Sequence, residues 1–178
     1  QNNAVHWHQI DLRDLSTIAP LMECLQPTHL LHFAWNTEPG KYWTAPENLT
    51  WVQASSEILK CFAVNGGKRV VFAGTCAEYD WRYGFCVEAQ TPLLPTTLYG
   101  TCKHALHLLA QAYASRIGLS AAWGRIFFVY GPHEHPKRLV SSLVRGMLQQ
   151  EAIPCSHGNQ IRDYLHVQDV ADAFVTLL

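Results

Sequence analysis

The chain has 178 residues, with 13 basic and 14 acidic side chains and a formal net charge of −1. That length suits one domain with a sizeable core, and the balanced charge gives no bulk attraction to nucleic acid. Apolar residues make up 48% and charged residues 15%, the balance of a globular chain and not of a disordered one.

Apolar β-type runs alternate with longer helical patterns, which predicts an α/β fold with a parallel sheet. Val5 to Ile10 reads as a short strand. Ile18 to Leu25 reads as a helix, with Pro20 tolerable in its first turn. Thr28 to Ala34 is a continuous apolar strand, expected to be buried on both faces. After a loop rich in Trp, Pro and Gly, Thr44-Ala45-Pro46-Glu47 has the form of a capping box opening a long helix, which stops at Asn65-Gly66-Gly67. Arg69 to Ala73 is the third strand. The aperiodic segment Gly74 to Pro95 is a candidate functional loop. A helix from Leu98 to Ile117 ends at Gly118, and Ala121 to Val129 is the fourth strand. Leu139 to Gln149 reads as helix, Ile153 to Cys155 and Tyr164 to Val167 as short strands, and Val170 to Leu178 as a final helix.

The six cysteines include no CxxC pair and several lie in apolar runs, as buried thiols do, so a reducing cytoplasm is expected. No stretch reaches the length of a membrane helix, and no basic-then-apolar signal pattern opens the chain. The chain begins at Gln1 and stops inside a helical pattern, so both ends are expected to be cuts.

Tyr99 and Lys103 stand four residues apart on one predicted helix face. A tyrosine with a pKa of about 10 is a poor base at neutral pH, and a neighbouring ammonium lowers that value. Such a pair can exchange a proton with a carbinol while hydride moves to or from a nicotinamide. Alone the pair is a weak signal, because an amphipathic helix with a solvated lysine looks the same. Thr75 strengthens it, since a hydroxyl at the carboxyl end of a parallel strand sits where α/β sheets bind ligands. A threonine that merely satisfies a turn is the plain alternative.

With these residues in place the chain resembles the extended short-chain dehydrogenases, the superfamily of nucleotide-sugar epimerases and 4-ketoreductases. The likeness runs in order through Ile10-Asp11-Leu12-Arg13-Asp14, His29 to Trp35, Gly74 to Tyr79, the pair Tyr99 and Lys103, Gly124 to Pro132, and Gln160 to Ala171. The resemblance implies a Rossmann-like doubly wound parallel sheet lacking its first βαβ unit, with a small substrate-binding portion at the C-terminal end. On that basis residues 1–130 form a partial dinucleotide-binding body and 131–178 the substrate portion, with 165–178 returning to the body. It implies catalytic roles for Thr75, Tyr99 and Lys103, with Lys103 also holding the nicotinamide ribose. Cofactor contacts are implied for Asp11, Leu12, Phe33, Ala34, Trp35, Tyr99, Lys103, Phe127 and Phe128. Substrate contacts are implied for Cys76, Ala77, Glu78, Phe128, Arg138 and Arg162, with Arg162 on a diphosphate.

The chain also departs from the family's pattern. The GxxGxxG loop and its flanking strands are absent, which implies a fragment of a longer protein. Cys76-Ala77 replaces the adjacent Asp and Glu of the sugar 4,6-dehydratases, which argues against elimination of water. Phe128 stands where many relatives have an Asn that contacts the substrate diphosphate. The implied activity is NAD- or NADP-dependent oxidoreduction at C4 of a nucleotide-diphosphate sugar, as a 4-epimerase or 4-ketoreductase. The alternative is a fragment or binding module without turnover. A homodimer through the two long helices is a family expectation. His133-Glu134-His135 lacks a metal-binding spacing and an evident third ligand, so no metal is expected. Nucleic acid and membrane are not expected partners.

Overall fold

The computed structural model describes residues 5–178; the first four residues of the expected N-terminal body lie outside that range. Three strands, β1 (His29–His32), β2 (Arg69–Thr75) and β3 (Ser120–Ile126), form a parallel sheet in the order β1-β2-β3. In register, His29 lies opposite Arg69, and Arg69 opposite Ser120.

The central strand β2 explains the layering. Its Val70, Val71 and Phe72 are all at most 1% exposed, so both faces must be covered. Successive side chains point to opposite faces. Val70 and Phe72 therefore pack with Ile18 and Met22 of α1 (Ile18–Leu25), Ile58 and Phe62 of α2 (Glu47–Val64), and Ala110 of α3 (Leu98–Ile117). Val71 and Ala73 pack against Phe174 of α5 (Val167–Leu177) on the other face. Helices on both faces of a parallel sheet make the arrangement doubly wound. Each fully buried Val or Phe contributes roughly 1.5–3 kcal/mol.

Six local expectations are corrected. Val5 to Ile10 forms no strand and is largely exposed, because among the described residues no neighbouring strand offers it a ladder. The strand expected over Thr28 to Ala34 is shorter and lies at the sheet edge: His29 is exposed, and Phe33 leaves the ladder to meet Phe174 at 4.8 Å.

The box over Thr44 to Glu47 does not form, because α2 opens two residues later behind Pro46, which has no side-chain cap. Asn48 organises the turn instead, donating to the Tyr42 and Ala45 carbonyls at 2.7 and 2.8 Å and accepting from Trp35 Nε1 at 2.8 Å. The run Ala121 to Val129 is not one strand. Phe127 turns to pack on Tyr79 and Trp81, and the chain passes into β4 (Phe128–Tyr130), which pairs in parallel with β5 (Tyr164–His166). Ile153 to Cys155 is irregular, because Ile153 fills the space beside Gly146 of α4 (Leu139–Gln149). The last helix starts earlier than expected, at Val167, where His166 Nδ1 accepts from the Gln168 N–H.

His32 is 5% exposed, stacks on Phe72 at 5.2 Å, and its Nε2 has no hydrogen-bond partner. Burial, then the Lys103 charge, pushes it down from 6.5 to about 4. As pH falls from 6.5 to about 4, the unfolded chain takes up a proton that the folded chain refuses, so stability falls across that window. In urea unfolding, His32→Phe is expected to remove about 3 kcal/mol of that acid sensitivity while retaining the fold at neutral pH.

Candidate active site

Thr75 ends β2 in an extended conformation and begins a short 3₁₀ turn over Cys76–Glu78. Its hydroxyl accepts from the Ala77 N–H at 3.2 Å, and its own N–H donates to Glu78 Oε1 at 2.9 Å. This reciprocal capping box holds the hydroxyl at the carboxyl end of the sheet. Thr97 then caps α3, its hydroxyl accepting from the Gly100 N–H at 3.1 Å. One helical turn separates Tyr99 from Lys103, which are 7% and 4% exposed. Gly100 permits the approach of α3 to the strand end: a Cβ there would lie 2.5 Å from the Ala77 carbonyl oxygen.

An aromatic wall surrounds Tyr99. Tyr42, Trp43 and Trp35 meet its ring edge-on at 4.8, 5.7 and 6.3 Å, and its N–H donates to the Trp43 carbonyl. Trp35 was expected at a cofactor contact. Tyr42 and Trp43 carry no spacing signal and emerge only from packing. Burial raises the Tyr99 phenol, while the neighbouring Thr75 hydroxyl and the Arg138 charge oppose that shift. Tyr42, half-buried, is pushed up to about 12, chiefly by burial.

The Lys103 ammonium donates to the Ala73 carbonyl at 3.0 Å and sits 3.9 Å above the Trp35 ring. Burial pushes it from 10.5 down to about 7, with the Glu78 charge opposing. Expected to act on the phenol, the lysine is in this structure engaged with the strand and the indole.

The remaining expected residues divide into two groups. Cys76 and Ala77 line the turn beside Thr75, and Arg138 is close enough for its charge to reach both Tyr42 and Tyr99. Arg162 lies over the rings of Trp81 and Phe128, each at 5.1 Å. With Trp81, Gly84, Asn159, Gln160 and Ile161 it lines an open cavity of about 290 Å³. A larger groove, about 490 Å³, lies at the opposite end of the sheet beside Lys68, Tyr113 and Gly118, away from these groups.

Six other expected residues fall outside this cluster. Asp11 is exposed and paired with Arg13 at 2.8 Å, a bond that pulls its carboxyl down to about 2. Leu12 packs against the α1–α2 core, and Phe33 against Phe174. Glu78, expected to touch substrate, is 0% exposed, and its carboxylate is taken up by Trp123 and Arg125. Phe127 contacts Tyr79 and Trp81, and Ala34 is half-buried beyond β1.

Glu78, His104 and His107 bring potential ligand atoms within 4.8 Å of one another, a cluster their sequence positions do not announce. The Arg125 guanidinium already stands there, bonded to Glu78 at 2.9 Å and donating to His107 Nδ1 at 3.2 Å. A fixed cation of this kind opposes a metal ion.

A buried Tyr and Lys thus stand at the carboxyl end of a parallel sheet, where open α/β folds bind ligands. Among the described residues no glycine-rich loop supplies a cradle for the pyrophosphate. The strand order and the helices on both faces define a Rossmann-type α/β core.

A model of the NAD dependent epimerase/dehydratase family matches residues 1–178, and the chain belongs to that family. The dTDP-D-glucose 4,6-dehydratase of Mus musculus is 27% identical over 174 residues, covering 96% of this chain and 49% of the relative. UDP-glucose 4-epimerase from Thermotoga maritima superposes with a TM-score of 0.79 at 23% identity, covering 98% of this chain and 59% of that one. A dTDP-glucose 4,6-dehydratase from Streptomyces venezuelae, solved with NAD and TYD bound, gives a TM-score of 0.70 at 27% identity, covering 91% and 51%. The chain spans about half the length of the curated relatives it matches.

Because the folded Lys103 is depressed to about 7, the native state carries the full penalty of a buried ammonium below that pH and is relieved as pH rises toward 10.5. Lys103→Met is therefore expected to be more stable than the native chain by up to about 5 kcal/mol at pH 6, the difference shrinking above pH 7. Thermal unfolding across that range measures it.

Proposed function

We propose that the natural protein carrying this chain performs NAD- or NADP-dependent oxidoreduction at C4 of a nucleotide-diphosphate sugar, as a 4-epimerase or 4-ketoreductase. The observation that carries this reading is the buried convergence of Thr75, Tyr99 and Lys103, from two separate elements, in a chain of the NAD dependent epimerase/dehydratase family.

When bound, the nicotinamide supplies the hydride acceptor and donor. Tyr99 takes the proton of the C4 hydroxyl through its phenolic oxygen, and Thr75 orients that hydroxyl by hydrogen bonding. A protonated Lys103 favours the phenolate by its charge. Trp35, Tyr42 and Trp43 keep water from the phenol, which strengthens each polar interaction at the reacting oxygen. Arg138 and Arg162, both exposed at the rim, supply cations for the diphosphate.

Elimination of water is disfavoured, although dehydratases stand among the relatives. Burial pushes the Cys76 thiol up to about 11, so it stays protonated at neutral pH, and Ala77 has no proton to exchange.

Dimerisation through α2 and α3 agrees with their exposed Leu49, Val64, Leu108, Leu109 and Ile117. Cytoplasmic residence agrees with the buried free thiols Cys61 and Cys102. No helix among the described residues is long and apolar enough to cross a membrane.

A binding module without turnover is the second reading. It is favoured by Lys103, whose ammonium is taken up by the Ala73 carbonyl and the Trp35 ring. The two readings separate on Tyr99→Phe in the natural protein, supplied with NAD(H) and UDP- or dTDP-hexoses, with sugar products resolved by chromatography and NADH followed by absorbance. The change is expected to cut turnover by at least about 100-fold with an unaltered circular dichroism spectrum. Equal rates in both proteins overturn the mechanism, and a native protein that binds sugar nucleotide but forms no product supports the binding module.

A further inference from the structure

Glu78 is charged, 0% exposed, and placed directly behind the strand end that carries Thr75. A carboxylate is seldom buried this far unless it is paired and hydrogen-bonded. Here Oε1 accepts from the Thr75 N–H and from Trp123 Nε1, each at 2.9 Å, and Oε2 accepts from Arg125 Nε at 2.9 Å. Trp123 Nε1 also reaches Oε2 at 3.2 Å.

The strand register makes this clamp. Trp123 and Arg125 are two residues apart on β3 and so share one face, while Gly74 lies opposite Arg125 on β2. Gly74 leaves the space the clamp occupies: a Cβ there would collide with Trp123 Nε1 and lie 2.8 Å from Glu78 Oε1. From α3, His107 Nδ1 stands 3.9 Å from Oε2, with His104 close by.

We propose that Glu78 is a positioning residue for the reaction, whose carboxylate, held by Trp123 and Arg125, fixes the Thr75 backbone and so aims its hydroxyl at the reacting oxygen. The proposal rests on the function proposed above. Glu78 touches no substrate; it acts through Thr75. The clamp joins three elements: β3 supplies the two donors that hold the carboxylate, the turn after β2 supplies the carboxylate, and β2 supplies the hydroxyl. Its charge also reaches Lys103 and Tyr99, raising both, so the same group sets the field around the proton-transfer pair.

Replacing Glu78 alone leaves the largely enclosed Arg125 guanidinium without its carboxylate, which is destabilising. The test therefore compares two double variants of the natural protein in which both charges are removed. Glu78→Gln with Arg125→Met keeps an acceptor for the Thr75 N–H, whereas Glu78→Leu with Arg125→Met does not. With both confirmed folded by circular dichroism, the leucine pair is expected to show kcat at least about 10-fold below the glutamine pair, with KM little changed. It is also expected to show faster amide hydrogen exchange at Thr75.

Equal kcat in the two folded pairs overturns the proposal. If the native protein itself forms no product, the proposed function fails instead, and the exchange comparison still decides whether the clamp holds Thr75. Should either pair fail to fold, the native protein decides: its Thr75 amide is expected among the slowest to exchange, and rapid exchange there overturns the clamp.

Discussion

A contact with no room for a methyl group, Gly100 against the Ala77 carbonyl, sets how closely α3 approaches the end of β2. The Thr75 hydroxyl sits at the strand end and the Tyr99 phenol on the helix, so their separation depends on that approach. Neither element can adjust freely. The strand is buried on both faces and tied to β1 and β3 by its ladder, and the helix packs Ala110 onto the sheet below. A side chain at position 100 would lever the phenol away from Thr75 while leaving every other contact of α3 to resist the motion. Packed interiors transmit such strain because they compress little.

Bringing polar groups to this place has an electrostatic cost. His32 and Lys103 are both driven toward their neutral forms by burial, and the same cause pushes the Tyr99 phenol upward. The protein offsets part of this with the Ala73 carbonyl and the Trp35 ring beneath the lysine, and with the Thr75 hydroxyl beside the phenol. Structural cores avoid such concentrations of perturbed groups, whereas reactive sites collect them. The aromatic wall of Trp35, Tyr42 and Trp43 works in the same direction, since a drier site makes each fixed charge and dipole act more strongly.

Glu78 shows how a residue is misread when only its neighbours in the chain are visible. Three residues after the Thr75 hydroxyl, on a loop at the ligand end of the sheet, a glutamate looks like a group for substrate. The fold brings Trp123 and Arg125 to it from 45 and 47 residues away, and these two turn it inward. The capping box expected at Thr44 fails for a related reason. Its spacing matches the pattern, yet Pro46 begins the helix late, and the reciprocal bonds form instead between Thr75 and Glu78.

The amino-acid order alone determined what depends on short range. The helices Ile18–Leu25, Leu98–Ile117 and Leu139–Gln149 follow from periodicity and terminal residues, and the shared face of Tyr99 and Lys103 follows from helical pitch. The alternation of apolar runs with helical patterns carried the α/β class, and the ordered family motifs singled out Thr75, Tyr99 and Lys103. Tertiary structure decided what depends on partners distant in the chain. It broke the run around Phe127 between two sheets, left Val5 to Ile10 without a ladder, placed Tyr42 and Trp43 around the phenol, and buried Glu78. A strand's existence and burial, unlike a helix's, depend on hydrogen bonds and side chains supplied by other segments, and no local pattern states which segment arrives.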